Sequence, residues 1–319
     1  GSGSLEESVR VGEMGEEALI AAFADIYRSR AGVSVGIGDD GAIIESASAL
    51  EVISTDMATD GIHFNRSWSS ATDIGAKIAI ANLADIVAMG GVPKFLIVAI
   101  SAPGDEEVSY LLDIARGIES VAKDFGVSVV GGDLVAGKTL TIAITALGSV
   151  NAPVLRSGAK VGDKVFLTRA TGRSLAGLLL LSNELASSDS QDVRAFQRPE
   201  FDPHDLIEFG FEKINALMDV SDGLLSDLPK IAKASRVGID LTIDEKALSF
   251  LEPLSETLEI PPLELFLRSG EEHSFIAVVD SKWQSETPQS WIMLGTVVTG
   301  NEITYFGKPL PFQSTSWHW

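Results

Sequence analysis

Carboxylates and hydroxyls recur beside glycines along this chain, a pairing that suits divalent cations and phosphate. Val127 to Ser149 reads as an apolar strand, the glycine pair Gly131-Gly132, the single carboxylate Asp133, a short turn and a second strand. A glycine pair at a strand end lets backbone N–H groups approach a phosphate closely. Asp133 would stand at that mouth, where it could hold a metal ion. Gly132 to Thr139 also spells a P-loop, GDLVAGKT. A P-loop needs a helix after it, whose N-terminus holds the phosphates. The residues that follow, TLTIAITALG, are β-branched and alternating, and predict a strand.

Similar chemistry appears elsewhere. Gly38-Asp39-Asp40-Gly41 lies between two short apolar stretches. Adjacent carboxylates in a tight turn repel unless a cation or solvent separates them, although Asp and Gly are also ordinary turn residues. Ser54, Thr55 and Asp56 follow a strand beginning at Glu51 and offer the oxygen ligands that Mg²⁺ takes. His63 comes just after the Asp60-Gly61 turn, as either a structural or a substrate-binding residue. Asp85 interrupts an apolar helix; a buried carboxylate without a partner is costly, so it faces solvent or has a cation. Arg156, in an acidic chain, is either a linker residue or a phosphate clamp. Asp219, Ser221 and Asp222 cluster at the end of a strand, where ligands sit in α/β sheets, though Ser221 and Asp222 also suit helix caps. Trp317 and Trp319 either stack on a ring or seal the domain.

The elements positioning these groups are mixed. Helical spacing marks Glu13 to Ser29, residues 72 to 90 and Pro103 to Phe125, with strands near residues 33 to 46, at Glu51 to Ser54 and at Lys94 to Ile100. Without a regular βαβ alternation, an α+β arrangement fits better than a Rossmann domain. The polar, glycine-rich Ser149 to Gly162 predicts a boundary between domains at 5–150 and 151–319. The second half reads as strands at Lys164 to Thr168, up to Asp219-Val220, Val237 to Ile243, Ser274 to Asp280, Ile292 to Val298 and Ile303 to Phe306, with helices at 171–185 and 205–212 and a helical run at 245–268 interrupted by Pro253 and Pro261-Pro262.

The formal net charge of −21 repels nucleic acid and anionic membrane, so an anionic substrate would need metal ions or a local basic pocket. The chain has no cysteine, which excludes disulfides, thiolate nucleophiles and cysteine zinc sites. No apolar run approaches the ~20 residues of a membrane span, and no signal-peptide pattern precedes the first charges, so a cytoplasmic location is expected.

In order, GDD, STDMATDGIHF, ANLADIVAMGG, VVGGD, LRSGAKVGD, MDVSDGLLSDL and SGEE resemble the thiamine-monophosphate kinase family of the aminoimidazole ribonucleotide synthetase-like superfamily. The resemblance runs from about Gly36 to the C-terminus. It implies two α/β (α+β) domains, the N-terminal ones pairing across a homodimer to close a β-barrel. It implies ATP as co-substrate, several Mg²⁺ ions in a groove involving both subunits, and direct transfer of the γ-phosphoryl group to thiamine monophosphate. By motif, Asp40, Ser54, Thr55, Asp56, Asp85, Asp133, Asp219 and Asp222 would be metal ligands. Gly132, Asp133, Arg156 and Ser221 would meet the nucleotide. His63, Glu271 and Trp317 or Trp319 would meet the substrate. The departures, Ser269-Gly270-Glu271-Glu272-His273 for GGEDY and TGRSLAG for TGTLGD, fall in the second half. Two alternatives stand beside this reading: a superfamily relative with another substrate, and a non-catalytic binder of nucleotide or thiamine phosphate. Selenophosphate synthetases and hydrogenase-maturation relatives use a cysteine or selenocysteine that this chain lacks.

Overall fold

A computed structural model describes residues 9–312. Trp317 and Trp319 lie outside the described residues. The chain divides into two compact units: the first runs to Asn151 without Val87–Gly90, and the second takes those four residues and the chain from Ala152. Among the described residues, no helix is long and apolar enough to cross a membrane.

The first unit opens with α1 (Val11–Met14) and α2 (Glu16–Ile26), divided at Gly15 where the sequence predicts one helix. The short strands β1 (Val33–Val35) and β2 (Ile43–Ile44) pair around the Asp39-Asp40 turn. Then come β3 (Leu50–Thr59), α3 (Ala71–Val87), β4 (Val92–Ala102), α4 (Val108–Asp124), β5 (Ser128–Ala136) and β6 (Thr141–Val150). The last four strands form a sheet in the order β3-β6-β4-β5. Only its β4–β5 pair is parallel, and α4 supplies the crossover that a parallel pair requires. The strand expected after Asp133 is therefore β6, and no helix follows the P-loop-like residues.

Burial alternates residue by residue along β6: Ile142, Ile144 and Ala146 are buried, while Ala143, Thr145 and Leu147 are only partly covered. Helix α3 lies on the buried face, where Ile86 packs against Gly148. Helices α3 and α4 touch backbone to backbone. A Cβ at Gly75 would lie 2.0 Å from the Ile114 carbonyl oxygen, and one at Gly117 would lie 2.0 Å from that of Thr72. The other sheet face is bare in the single chain and apolar, with Ile53 64% and Met57 58% exposed.

The second unit contains β7 (Lys164–Leu167), α5 (Arg173–Ser182), α6 (Arg194–Gln197), α7 (His204–Phe209), β8 (Ile214–Asp219), α8 (Leu224–Ser235) and β9 (Gly238–Leu241). It continues through α9 (Glu252–Leu258), α10 (Pro262–Arg268), β10 (Phe275–Val279), β11 (Ile292–Val298), β12 (Ile303–Tyr305) and β13 (Lys308–Pro309). Its sheet runs β13-β12-β9-β11-β7-β10-β8 and is antiparallel except at β9–β12. Helix α8 buries Leu224, Leu225, Leu228, Ile231 and Ala232, the one-sided stripe that seats a helix on a core. The helical run expected over 245–268, with interruptions at Pro253 and Pro261-Pro262, is three pieces, a 3₁₀ turn at Glu245–Leu251 followed by α9 and α10. Pro253 and Pro262 stand in the first turns of α9 and α10, where a missing N–H costs no helical bond.

Candidate functional site

In the first unit the structure moves the Ser54-Thr55-Asp56 group from the expected strand end to the strand interior. β3 pairs with β6 without interruption from Leu50–Val150 to Thr59–Thr141. Pleating then sends neighbouring side chains to opposite faces. Ser54 and Asp56 share the face covered by α3, and Ser54 Oγ donates to Asp85 Oδ2 at 3.3 Å. The half-buried Asp85 thus has a hydroxyl partner from the group that sequence spacing places with it. Thr55 turns the other way; it donates to the Ile144 carbonyl at 3.1 Å and accepts from Thr145 Oγ1 at 3.1 Å. Asp40 and Asp39 are exposed, and Asp39 Oδ1 accepts the Asp40 N–H at 2.8 Å. His63 lies in the turn after β3, where its Nδ1 accepts the Thr59 N–H at 2.9 Å.

Asp133 also sits within its strand, opposite Ala99, because β5 runs on to Ala136. Its Oδ1 accepts the Leu134 N–H at 2.9 Å. Gly132 has a reason to be glycine within the sheet itself: a Cβ there would lie 1.8 Å from the Val98 carbonyl oxygen of β4. β3 and β5 are the two edges of the sheet. Three strand spacings put Asp56 and Asp133 roughly 14 Å apart across it. Among the described residues, no three His, Asp or Glu side chains converge tightly enough to hold an ion unaided. The oxygen donors Ser54, Asp56 and Asp85 nonetheless suit a hard cation such as Mg²⁺.

The second unit gathers its residues closely. Asp219 ends β8 and is buried, with His273 Nδ1 3.3 Å from its Oδ2. Pairing continues beyond the strand: the Val220 N–H donates to the Ser274 carbonyl, that of His273 to Val220, and that of Glu271 to Ser221 at 2.7 Å. This ladder brings Glu271 to the end of the sheet where Asp219 and Ser221 stand, a neighbour that the sequence reading, which groups Asp219 and Ser221 with Asp222, does not include. Glu271 and His273 both have φ of +54°, an uncommon setting for side-chain-bearing residues. Asp222 Oδ2 accepts from Lys230 Nζ at 2.8 Å. Arg156 is exposed, on the turn Arg156–Gly158, and its carbonyl accepts the Ser235 hydroxyl at 2.6 Å.

Sequence reading misses four residues here: Asp227, Lys230, Glu272 and His273. Asp227 is fully buried; its Oδ2 accepts the N–H groups of Ser221 and Asp222 at 3.0 and 3.1 Å, and its Oδ1 accepts from Lys230 at 3.1 Å. Burial pushes its carboxyl up to about 6, with Lys230 opposing. Glu272 is also buried, and its Oε1 accepts from the Gly172 and Ser174 N–H groups at 2.8 and 3.1 Å and from Ser269 Oγ at 2.6 Å. It caps the start of α5, so the two neighbouring glutamates have different settings. A carboxylate placed a few residues after Asp222-Gly223, inside the first turn of a helix, is the signal that points to Asp227.

Residues 38–150 match the family model described as AIR synthase related protein, N-terminal domain, and residues 160–288 match that of its C-terminal domain. A thiamine-monophosphate kinase of Mycobacterium tuberculosis is 33% identical over 302 residues, covering 92% of this chain and 88% of the relative. One of Corynebacterium glutamicum is 31% identical over 328 residues, covering 98% and 96%. A solved structure described as AaThiL complexed with AMPPCP and TMP superposes with a TM-score of 0.76 at 28% identity, covering 97% of this chain and 98% of that one.

Proposed function

We propose, from the premise that this chain belongs to the thiamine-monophosphate kinase family, that it phosphorylates thiamine monophosphate with ATP, giving thiamine diphosphate and ADP. The observation that carries this is a likeness spanning nearly the whole chain to a relative described with an ATP analogue and TMP. A phosphate oxygen of thiamine monophosphate forms a bond to the γ-phosphorus as the bond to the ADP oxygen breaks. That oxygen is already ionised near neutral pH, so no general base is required. The work of the protein is to position two anions that repel each other. Mg²⁺, when bound, supplies the neutralising charge.

Asp40, Ser54, Thr55, Asp56, Asp85 and Asp133 are the metal ligands of the first unit in this reading, and Asp219 and Asp222 those of the second. The contact between Ser54 and Asp85 supports the first set, and the gathering of Asp219 with Ser221 supports the second. Gly132, Arg156 and Ser221 meet the nucleotide. His63 and Glu271 meet thiamine monophosphate. The working form is a homodimer in the cytoplasm. Its support is the apolar sheet face with Ile53 and Met57 uncovered, together with the placing of Asp56 and Asp133 on opposite sheet edges. Pairing two such faces closes a barrel and lets the β5 edge of one sheet approach the β3 edge of its partner.

Incubating the protein with ATP, Mg²⁺ and thiamine monophosphate, with products separated by chromatography, tests the reading. Thiamine diphosphate and ADP are expected in equal amounts, and Asp133→Asn lowers the rate by about 100-fold or more. Absence of thiamine diphosphate with the unaltered protein overturns the assignment.

A further inference from the structure

We infer that Arg66 and Glu106 form a clamp that positions His63, and so tune affinity for thiamine monophosphate separately from affinity for ATP. The inference rests on the reading that places His63 at that substrate.

The turn that carries His63 is well bonded in its own backbone. The N–H groups of Ile62 and His63 donate to the Thr59 carbonyl at 3.1 and 2.9 Å, and that of Gly61 to Phe64 at 2.9 Å. The imidazole joins this turn at Nδ1, which accepts the Thr59 N–H. A neutral imidazole that accepts at Nδ1 carries its proton on Nε2. The turn therefore sets His63 as a donor at Nε2, the polarity that a phosphate oxygen requires.

The turn is fixed from outside by Arg66. Its Nε donates to Asp60 Oδ2 at 2.8 Å, inside the same turn. Its Nη1 and Nη2 donate to Glu106 Oε1 and Oε2 at 3.0 and 2.6 Å. The guanidinium also lies 4.1 Å from the centre of the Tyr110 ring. Glu106 is only 8% exposed and accepts the Glu107 N–H at 3.2 Å, which ties the clamp to the start of α4. This two-pronged geometry uses the fixed fork of arginine, which lysine cannot reproduce. Glu106 is buried, so the pair escapes much of the screening that weakens surface ion pairs. The turn closes through its own backbone bonds; what Arg66 adds is its placement against α4.

The clean variant removes both charges at once, because deleting Arg66 alone would strand a buried carboxylate. In Arg66→Met with Glu106→Gln, KM for thiamine monophosphate is expected to rise about tenfold, with KM for ATP held within about twofold. Nitrogen chemical shifts of the His63 ring should stay those of the Nε2–H tautomer in both proteins, because the Thr59 N–H bond belongs to the turn and the clamp only places that turn. Arg66→Lys, which keeps one charge and loses the fork, should fall between the two and serves if the double variant does not fold. An unchanged KM for thiamine monophosphate, or both KM values rising together, overturns the clamp. His63→Ala separates the two levels. If it leaves KM for thiamine monophosphate unchanged, the placement of His63 at the substrate fails and the clamp fails with it. If it raises that KM while the clamp variants do not, the clamp alone fails.

Discussion

In the first unit, Asp56 and Asp133 stand on the two edge strands of an open sheet, each accepting the N–H of the residue that follows it. In the second, Asp219, Asp222 and Asp227 are gathered around one turn, and the protein places His273 and Lys230 among them. Carboxylates brought together without a metal need counter-charges or donors from the chain itself, or they repel and take up protons. Carboxylates kept apart need none. On the proposed assignment, the second unit would meet a nucleotide with its charge already partly balanced by Lys230. On the same assignment, the first would keep exposed carboxylates for cations that arrive with the phosphates.

The sharpest way to break this contrast is to ask whether the two edges of the first sheet serve one site. Asp56→Asn and Asp133→Asn should each abolish nearly all activity. If the partner's sheet completes the site, mixing the two inactive proteins under exchange restores it. Random pairing makes half the dimers mixed, each with one intact site, so about a quarter of the original activity returns. No recovery from a preparation shown to contain mixed dimers means the edges work separately.

Gly132→Ala gives the next largest effect and asks what that glycine is for. Packing against Val98 predicts a fold weakened by about 3 kcal/mol or more, read as a lower thermal midpoint. A role in phosphate approach alone predicts an inactive protein of ordinary stability.

The smallest effect belongs to the second unit. Glu271 has a positive φ that glycine adopts without penalty, so Glu271→Gly should leave stability unchanged or raise it by about 1 kcal/mol. KM for thiamine monophosphate should rise in the same variant. A clear loss of stability would assign Glu271 to the scaffold, beside Glu272.

Much of this was legible in the chain, for identifiable reasons. The alternation of Thr139 to Gly148 favoured a strand over a P-loop helix, because side-chain periodicity survives whatever the strand pairs with. The clustering of Asp219, Ser221 and Asp222 at a strand end was legible in their spacing, whereas the pairing that brings Glu271 beside Ser221 was not. The length of β3 was harder to see: an edge strand tolerates Thr55 on its open face and Ser54 and Asp56 on the α3 side, where Asp85 partners Ser54, and polarity there resembles a strand end. The different settings of Glu271 and Glu272 depend on a backbone φ that composition does not report. The bond between Asp222 and Lys230 spans eight positions and forms only once the turn leads into α8.

The bare face of the first sheet bears on how the protein endures in dilute solution. If it is covered only in a pair, the pair and the folded chain share one equilibrium, and resistance to heat grows with the amount of protein present. Freshly made chains, before they meet a second copy, would then expose Ile53 and Met57 to any sticky neighbour. The strong negative charge carried by every copy is a safeguard during that interval, because it holds unpaired molecules at a distance.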